Sequence, residues 1–310
     1  MTILFKPDPV VGGADAWRAQ LAKRLPDVPF RVWPDVGDPA DIHFFLGFKA
    51  ATGDFAGMTN LKAVLATGAG VDGIFLAEDV PDVAIARIID PWMTEQMAQW
   101  ALYAVLHFYR RFGDYQAQQA EGDWNELDPW RAAPARVGML GCGEIGQEIG
   151  RRLGDIGFDV AGWTRSARDL GDIENFHGED GFAPFLARSN FLICLLPLTE
   201  DTTGLLDAAA FSHLPEDAYL INMARGRIVD TDDLVTALDS GRVKGAFLDV
   251  TEPEPLPQDH PLWRMQNVRI TPHNSGNTNA DTAADQVAEN IRRALAGEPL
   301  LNVVERGRGY

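Results

Sequence analysis

Three short segments late in the chain carry an arginine, a glutamate and a histidine, which together could transfer a proton to a carbonyl oxygen. Arg225 lies in Asn-Met-Ala-Arg-Gly, Glu254 in Glu-Pro-Glu-Pro-Leu, and His273 in Thr-Pro-His-Asn-Ser-Gly. An arginine can hold a carboxylate through two parallel hydrogen bonds. A histidine can be protonated near neutral pH when a carboxylate supports its charged form. A histidine taken alone is more often structural, so the prediction depends on all three residues acting together.

A glycine-rich loop upstream could bind a dinucleotide. It follows the apolar run Val137-Gly-Met-Leu140 and leads into a helical pattern, which is the context that makes this fingerprint meaningful. Its glycines permit a tight turn and a close approach of the backbone to a pyrophosphate at the helix N-terminus. A glycine turn in a domain without nucleotide is the alternative. The residues that we expect to bind the coenzyme here are Gly141, Gly143, Glu144, Ile145 and Gly146.

The end of the next strand indicates which coenzyme is bound. An NAD-selective site usually carries an acidic residue there, bonded to the ribose hydroxyl. This chain has Thr164-Arg165-Ser166-Ala-Arg168 instead, a basic segment in an acidic protein. Arg165 and Arg168 could pair with a 2′-phosphate, and Thr164 and Ser166 could donate hydrogen bonds to it. We therefore predict NADP(H) as the preferred coenzyme, with NAD(H) possible and a solvated basic turn as the alternative.

A second glycine-rich turn could hold an anion through its backbone. Gly68-Ala69-Gly70 follows the apolar run over residues 61–66. Such a turn at the carboxyl end of a strand exposes backbone N–H groups. By itself the pattern is weak, and an ordinary β-turn remains the alternative.

Composition limits the class of protein. The 310 residues are 46% apolar and carry a formal net charge of −18, which argues against general binding to nucleic acid or to anionic membrane. The N-terminus lacks the pattern of a signal peptide, and no apolar run is long enough for a membrane helix, so we expect a cytoplasmic protein. Cys142 and Cys194 are expected to be small core residues. No histidine or cysteine spacing indicates a metal site.

The pattern of elements predicts an α/β fold with doubly wound parallel sheets. Strands are expected over residues 3–5, 30–33, 43–47 and 61–66, with a helix over 14–25. One long apolar helix is predicted over 94–118, with Thr94 as its N-cap, and a polar loop containing Trp124 and Trp130 follows. A second βαβ series then has strands over 136–140, 159–163, 190–196, 218–223, 245–250 and 268–270, a helix over 144–154 and a last helix over 282–296.

These motifs resemble the D-isomer-specific 2-hydroxyacid dehydrogenases. Besides the segments above, the resemblance rests on Leu195-Leu-Pro-Leu-Thr199, Thr203 and Leu248-Asp249-Val. Further segments resemble one branch, the bacterial A-type NADPH-dependent glyoxylate/hydroxypyruvate reductases: Leu65-Ala-Thr-Gly-Ala-Gly-Val-Asp72, Glu95-Gln-Met97, Leu106-His-Phe-Tyr-Arg-Arg-Phe112 and Arg308-Gly-Tyr310. The family differs from L-lactate and malate dehydrogenases, whose fingerprint opens the chain.

The resemblance implies a role for each residue of the trio. Arg225 would bind the substrate's carboxylate and carbonyl oxygen, Glu254 would bond His273, and His273 would be the acid/base. The amides of Ala69 and Gly70 would hold the substrate carboxylate. The remaining coenzyme contacts that the resemblance implies are Leu196, Pro197, Thr203, Met223, Ala224, Asp249, His273 and Gly276. Leu195 and the Asn274-Ser275 pair depart from residues common in the family.

The resemblance also implies the domain arrangement and the reaction. Residues 1–95 with 281–310 would form a flavodoxin-like substrate domain, interrupted by a Rossmann nucleotide domain over 96–280. The enzyme would reduce glyoxylate to glycolate and hydroxypyruvate to glycerate with NADPH. The apolar helix predicted above also suggests a homodimer, since it could pack against its two-fold mate, with a helix of the domain core as the alternative. The resemblance implies that Trp124 could then reach the active-site mouth of the partner, and local packing of Trp124 is the alternative. Two alternatives remain: a reductase of another 2-keto acid, such as pyruvate or phenylpyruvate, or a nicotinamide-sensing binding protein without enzymatic activity.

Overall fold

The computed structural model describes residues 1–8, 13–128 and 135–307, which form two compact units. One unit contains Met1–Met93 and Gly276–Tyr310, and the other contains Thr94–Ser275. Trp130 and the terminal Arg308-Gly-Tyr310, both used above, lie outside the described residues. The assignment of one unit to substrate and the other to nucleotide stays a prediction.

The helices and strands alternate along most of the chain, as the sequence predicted. In chain order they are β1 (Thr2–Lys6), α1 (Ala14–Arg24), β2 (Phe30–Val32), β3 (Ile42–Gly47), β4 (Ala63–Ala66), β5 (Ala84–Ala86), α2 (Pro91–Tyr109), α3 (Phe112–Glu121), β6 (Arg136–Leu140), α4 (Glu144–Asp155), β7 (Asp159–Thr164), β8 (Glu174–His177), α5 (Gly178–Arg188), β9 (Phe191–Cys194), α6 (Ala208–His213), β10 (Tyr219–Asn222), α7 (Thr231–Asp239), β11 (Gly245–Leu248), β12 (Val268–Ile270) and α8 (Ala280–Ala296).

The first unit is built on a five-stranded parallel sheet in the order β2-β1-β3-β4-β5. One face packs against α1 and α8, which bury Trp17 and Ile291 against strand residues such as Phe5. The other face is covered by loop residues, among them Phe55 and Ile74. Because both faces are covered, β4 is buried along its whole length and contains only apolar residues.

The second unit is built on a seven-stranded parallel sheet in the order β12-β11-β10-β9-β6-β7-β8. Helices α5, α6 and α7 pack on one face, and α2 and α4 pack on the other. The strand order reverses between β6 and β9, and in open α/β sheets ligands bind beyond the carboxyl ends of the strands at such a point. The α/β class with doubly wound parallel sheets is confirmed.

The register of this sheet aligns its seven strands in one row. Each residue of the row is the register partner of its neighbour, and the row consists of Phe176, Trp163, Leu140, Cys194, Asn222, Leu248 and Ile270. The glycine loop, the basic turn and the Arg225, Asp249 and His273 segments begin within a few residues after this row.

The start of α2 differs from the prediction. The helix begins at Pro91, whereas Thr94 was expected to be its N-cap. Proline is favoured at the first helical position because its missing N–H has no partner there in any case. The Asp90 carboxylate accepts the Trp92 N–H at 3.0 Å and so satisfies one N–H of the first turn.

The end of α2 also differs, because the single helix predicted over 94–118 is two helices. Arg111 has a left-handed backbone with φ of 58°, which ends one helix after Tyr109 and starts the next at Phe112. An ion pair of 2.7 Å between the Arg111 and Asp114 side chains lies across the start of the second helix. Apolar periodicity continues through the break, which is why the sequence pattern does not show it.

Five elements were not predicted from the sequence. Strands β5 and β8 have three and four residues, and α5, α6 and α7 were not predicted. Strand β8 lies at the edge of its sheet and is only partly buried, so it lacks the apolar run that marks an interior strand. Within the described ranges, none of the helices combines the length and the apolar character needed to span a bilayer.

We expect Asn190 to stabilise the amino end of the second sheet. Its buried side chain accepts the Arg136 N–H at 3.1 Å and donates to an Asp217 carboxylate oxygen at 3.1 Å. Asn190→Ala should lower the free energy of unfolding by about 1–3 kcal/mol, since it removes two hydrogen bonds made by a buried side chain. Urea denaturation followed by circular dichroism measures this. The exposed Asn60→Ala serves as a control, and equal small losses for both variants would contradict the assignment.

Candidate active site

His273 and Glu254 are in direct contact. The His273 Nδ1 and a Glu254 carboxylate oxygen are 2.7 Å apart, and the two side chains are 19% and 36% exposed. His273 has a left-handed backbone with φ of 50°, an uncommon conformation for a residue with a Cβ. Because Glu254 bonds Nδ1, proton exchange with a substrate would use the other ring nitrogen, Nε2. The pair predicted from separate segments is therefore brought together.

Asp249 holds the segment that carries His273. Its carboxylate is 1% exposed and accepts three hydrogen bonds: from the Thr271 hydroxyl at 2.6 Å, the Asn274 N–H at 2.9 Å and the Ser275 N–H at 2.9 Å. The His273 N–H donates to the Asp249 carbonyl at 2.8 Å. The resemblance implied only a position near the nicotinamide for Asp249. The hydrogen bonds give it a further role that the sequence did not reveal, since its partners lie in a distant segment.

Arg225 lies in the turn that follows β10, and its side chain is fixed locally. One terminal nitrogen of the guanidinium, Nη1, donates to the Ala224 carbonyl at 2.7 Å. The next residue, Gly226, packs directly on the chain before Glu254. A Cβ at Gly226 would lie 2.1 Å from the Thr251 carbonyl oxygen, so only glycine fits. This contact sets the Arg225 turn against the segment that leads to Glu254.

The loop between β6 and α4 has the geometry of a pyrophosphate cradle. Gly141 has a φ of 99°, and a Cβ at Gly146 would lie 2.1 Å from the Gly141 carbonyl oxygen. Gly143 is the N-cap of α4 and has open space where a Cβ would point. A helix N-terminus with open space before it can accept a phosphate on its backbone N–H groups. These glycines therefore fit the coenzyme that the fingerprint predicts.

Both cysteines are free and buried, as predicted. Burial raises the pKa of the Cys142 thiol to about 11 and that of the Cys194 thiol to about 12. Each thiol stays protonated at neutral pH and is a poor nucleophile, so the cysteine within the glycine loop is a packing residue.

The basic turn after β7 presents three of its four predicted residues to solvent. Arg165, Ser166 and Arg168 are exposed. Thr164 is buried, and its hydroxyl donates to the Ser166 carbonyl at 2.8 Å. This differs from the predicted donation to a phosphate, because the single hydroxyl hydrogen is already used. Thr164 supports the turn instead.

Asn175 of β8 supports the same turn and was missed by the sequence reading. Its amide nitrogen donates to the Thr164 hydroxyl at 2.8 Å, and its amide oxygen accepts the Arg168 N–H at 2.9 Å. No sequence pattern pointed to it, because β8 itself was not predicted.

The other residues that the resemblance linked to the coenzyme lie mostly after β9 and β10. Leu196, Met223 and Ala224 are buried, while the exposed Thr203 donates its hydroxyl hydrogen to the Thr199 carbonyl at 2.7 Å. Pro197 accepts the Thr202 hydroxyl at 2.7 Å through its carbonyl. Gly276 falls within the first unit. Their contacts with a coenzyme stay predictions.

The Gly68–Gly70 turn, considered within the first unit, follows β4 directly. Gly68 lies under the Phe48 ring, where a Cβ would meet a ring carbon at 2.9 Å, and its carbonyl accepts the Ile88 N–H. Ala69 and Gly70 are half-buried.

Trp124, in the loop after α3, is fully exposed. Among the described residues, no group of three or more His, Cys, Asp or Glu side chains is arranged to hold a metal ion.

The chain is similar in sequence and in structure to known proteins over nearly its full length. The family pattern described as "D-isomer specific 2-hydroxyacid dehydrogenase, NAD binding domain" matches residues 102–275. Glyoxylate/hydroxypyruvate reductase A of Serratia proteamaculans is 39% identical over 303 residues, which cover 96% of each chain.

Two solved structures have the same fold. A D-isomer specific 2-hydroxyacid dehydrogenase from Xanthobacter autotrophicus, in complex with NADPH and MES, is 41% identical with a TM-score of 0.94 over 99% of each chain. The NADPH-dependent glyoxylate/hydroxypyruvate reductase of Sinorhizobium meliloti, in complex with NADP and sulfate, is 32% identical with a TM-score of 0.92 over 100% of each chain. With its His273–Glu254 pair, its Arg225 turn and its glycine loop, this chain belongs to the D-isomer specific 2-hydroxyacid dehydrogenases, a family of NAD(P)-dependent oxidoreductases.

Proposed function

We propose that this protein reduces small 2-keto acids with NADPH, converting glyoxylate to glycolate and hydroxypyruvate to glycerate. The proposal rests on the 2.7 Å contact between His273 Nδ1 and a Glu254 carboxylate oxygen. The segment that contains His273 is held by hydrogen bonds to the Asp249 carboxylate. The names of the relatives from Serratia proteamaculans and Sinorhizobium meliloti support the choice of substrates.

In the proposed mechanism, Arg225 binds the carboxylate of the keto acid and polarises its carbonyl oxygen. A bound nicotinamide coenzyme supplies the hydride that the carbonyl carbon receives. His273, as an imidazolium ion, gives its Nε2 proton to the oxygen as negative charge develops there. Glu254 stabilises that imidazolium and fixes the ring through Nδ1. The Ala69 and Gly70 amides are proposed to hold the substrate carboxylate as well.

We propose NADPH over NADH because the turn after β7 offers positive charge and no carboxylate. Arg165 and Arg168 are exposed at this turn, with the Ser166 hydroxyl between them. The complexes of the relatives with NADPH or NADP support this preference. The net charge of −18 repels an anion over long distances, but at physiological salt such repulsion is screened beyond about 8 Å. Local cations therefore decide which coenzyme is bound.

We expect kcat/KM to be at least about 10-fold higher with NADPH than with NADH, the scale of one charge-assisted pair. Arg165→Ala should reduce NADPH use and leave NADH use nearly unchanged. Initial rates with both coenzymes, over glyoxylate, hydroxypyruvate, pyruvate and phenylpyruvate, measure this. Arg151→Ala is the matched control, since Arg151 lies on α4 and pairs there with Glu148 and Asp155.

Equal efficiency with the two coenzymes would reject the NADPH preference. Coenzyme binding without turnover of any keto acid would favour the binding-protein alternative, and a preference for pyruvate or phenylpyruvate would change the substrate.

We expect His273→Ala to lower kcat by about 10²- to 10⁴-fold while coenzyme affinity is retained, as for the loss of a general acid. Arg225→Ala should raise KM as well as lower kcat, because it removes a contact to the bound carboxylate. Steady-state kinetics and coenzyme fluorescence titration separate these effects. His213→Ala, an exposed histidine at the end of α6, should keep full activity. A His273→Ala variant with more than about a third of the wild-type kcat would show that His273 is not the acid.

We also propose a homodimer in the cytoplasm. Helices α2 and α3 and the loop after them expose several large side chains that a partner could cover, namely Tyr103, Phe112, Tyr115 and Trp124. Trp124 is proposed to reach the substrate site of the partner. Two free cysteines and the need for a reduced NADPH pool support a cytoplasmic location.

We expect sedimentation equilibrium at micromolar concentration to give about twice the chain mass of 34.0 kDa, because a two-fold contact would bury this apolar surface. Trp124→Ala should then change the KM for the keto acid while the protein keeps the mass of a dimer. A fully active monomer would exclude both the dimer and a role for Trp124 across it.

A further inference from the structure

Asn222, the last residue of β10, is bonded at both ends of its side-chain amide to the turn that carries Arg225. The side chain is 1% exposed. Its amide oxygen accepts the Ala224 N–H at 3.1 Å, and its amide nitrogen donates to the Arg225 carbonyl at 3.1 Å. One side chain therefore fixes the backbone on both sides of Arg225.

The restraint continues from the backbone to the guanidinium. Ala224 is held at its N–H by Asn222, and its carbonyl accepts a hydrogen bond from Arg225 Nη1 at 2.7 Å. The direction of the Ala224 carbonyl therefore sets the position of the guanidinium. A rotation of this residue would move the charged group of Arg225 together with its carbonyl partner.

The turn has no room to shift on its other side. A Cβ at Gly226 would lie 2.1 Å from the Thr251 carbonyl oxygen and 2.6 Å from the Glu252 nitrogen. Asn222 restrains the turn through two hydrogen bonds, and the Thr251–Glu252 backbone packs closely against Gly226. These two contacts restrain the Arg225 turn relative to the chain before Glu254.

We propose that Asn222 is a positioning residue that aims the Arg225 guanidinium at the carboxylate of the 2-keto acid. The proposal rests on the substrate-binding role proposed above for Arg225. An asparagine suits the position because the turn needs one acceptor, for the Ala224 N–H, and one donor, for the Arg225 carbonyl. An aspartate would supply two acceptors and a buried charge, and an alanine would supply neither contact.

Asn222→Ala should raise the KM for glyoxylate and the inhibition constant of oxalate by about 10-fold or more, since small misplacements of a positioning group reduce activity strongly. Oxalate is the probe because it is a two-carbon carboxylate that cannot be reduced by hydride at this site. The dissociation constant for NADPH should change less than these two constants, because the glycine loop and the basic turn follow other strands and only Met223 and Ala224 of the proposed coenzyme contacts lie beside Asn222.

A matched control separates positioning from general loss of stability. Asn190 is also a buried asparagine, and its side-chain amide oxygen also accepts a hydrogen bond from a backbone N–H. It differs from Asn222 because it lies at the amino end of the strands of this sheet. Asn190→Ala should lower the melting temperature about as much as Asn222→Ala does. It should leave the KM for glyoxylate and the inhibition constant of oxalate unchanged. If both variants behave alike in these constants, the proposal is overturned.

A double-mutant cycle tests whether Asn222 acts through Arg225. In an Arg225→Ala background, the further change Asn222→Ala should alter kcat/KM by less than about 2-fold, because there is no guanidinium left to aim. The same fold-loss in both backgrounds would overturn the proposal. If Asn222→Ala does not fold, Asn222→Ser takes its place in the cycle, since a serine hydroxyl can serve one of the two backbone groups. A wild-type protein that reduces no keto acid would instead reject the proposed function.

Discussion

Parallel hydrogen bonding in the second sheet is the constraint on which the site depends. One row of residues, running from Phe176 at one edge to Ile270 at the other, crosses all seven strands in register. Because parallel strands end at the same edge, the segments after this row are brought together although they are far apart in the chain. The glycine loop, the basic turn, the Arg225 turn, Asp249 and the His273 segment all begin there.

Segments that leave a sheet edge must find new partners for their backbone groups, and here polar side chains supply them: Asp249 and Asn222 are buried, and Asn175 is partly buried. Asp249 binds the N–H groups after His273, Asn222 binds the backbone around Arg225, and Asn175 binds the basic turn. A buried carboxylate or amide is tolerated only when it is hydrogen-bonded. Each of these side chains is therefore both satisfied by its turn and responsible for the conformation of that turn. The catalytic and binding side chains on these turns are held in defined positions because each turn and its polar side chain satisfy each other's hydrogen bonds.

The predictability of the fold follows from the length and burial of each element. The interior strand β6 was predicted to the residue, because covered parallel strands are short apolar runs. The edge strand β8 and the break at Arg111 were not. An edge strand lacks the apolar run, and a single left-handed residue leaves helical periodicity intact on both sides. Local pattern therefore identified the two parallel sheets and several of the helices, but it missed the layer formed by α5, α6 and α7.

For the site, the sequence alone determined which residue types were present and that they matched one family's motifs: Arg225, Glu254, His273 and the Gly141–Gly146 loop. It also determined the absence of an acidic residue at the basic turn. Only the tertiary structure decided that Glu254 bonds Nδ1 of His273, that the Thr164 hydroxyl is used internally, and that Asn222 and Asp249 fix the turns. The physical reason is that a hydrogen bond depends on distance and direction between atoms, and for segments many residues apart these are set by the packing and register of the sheet.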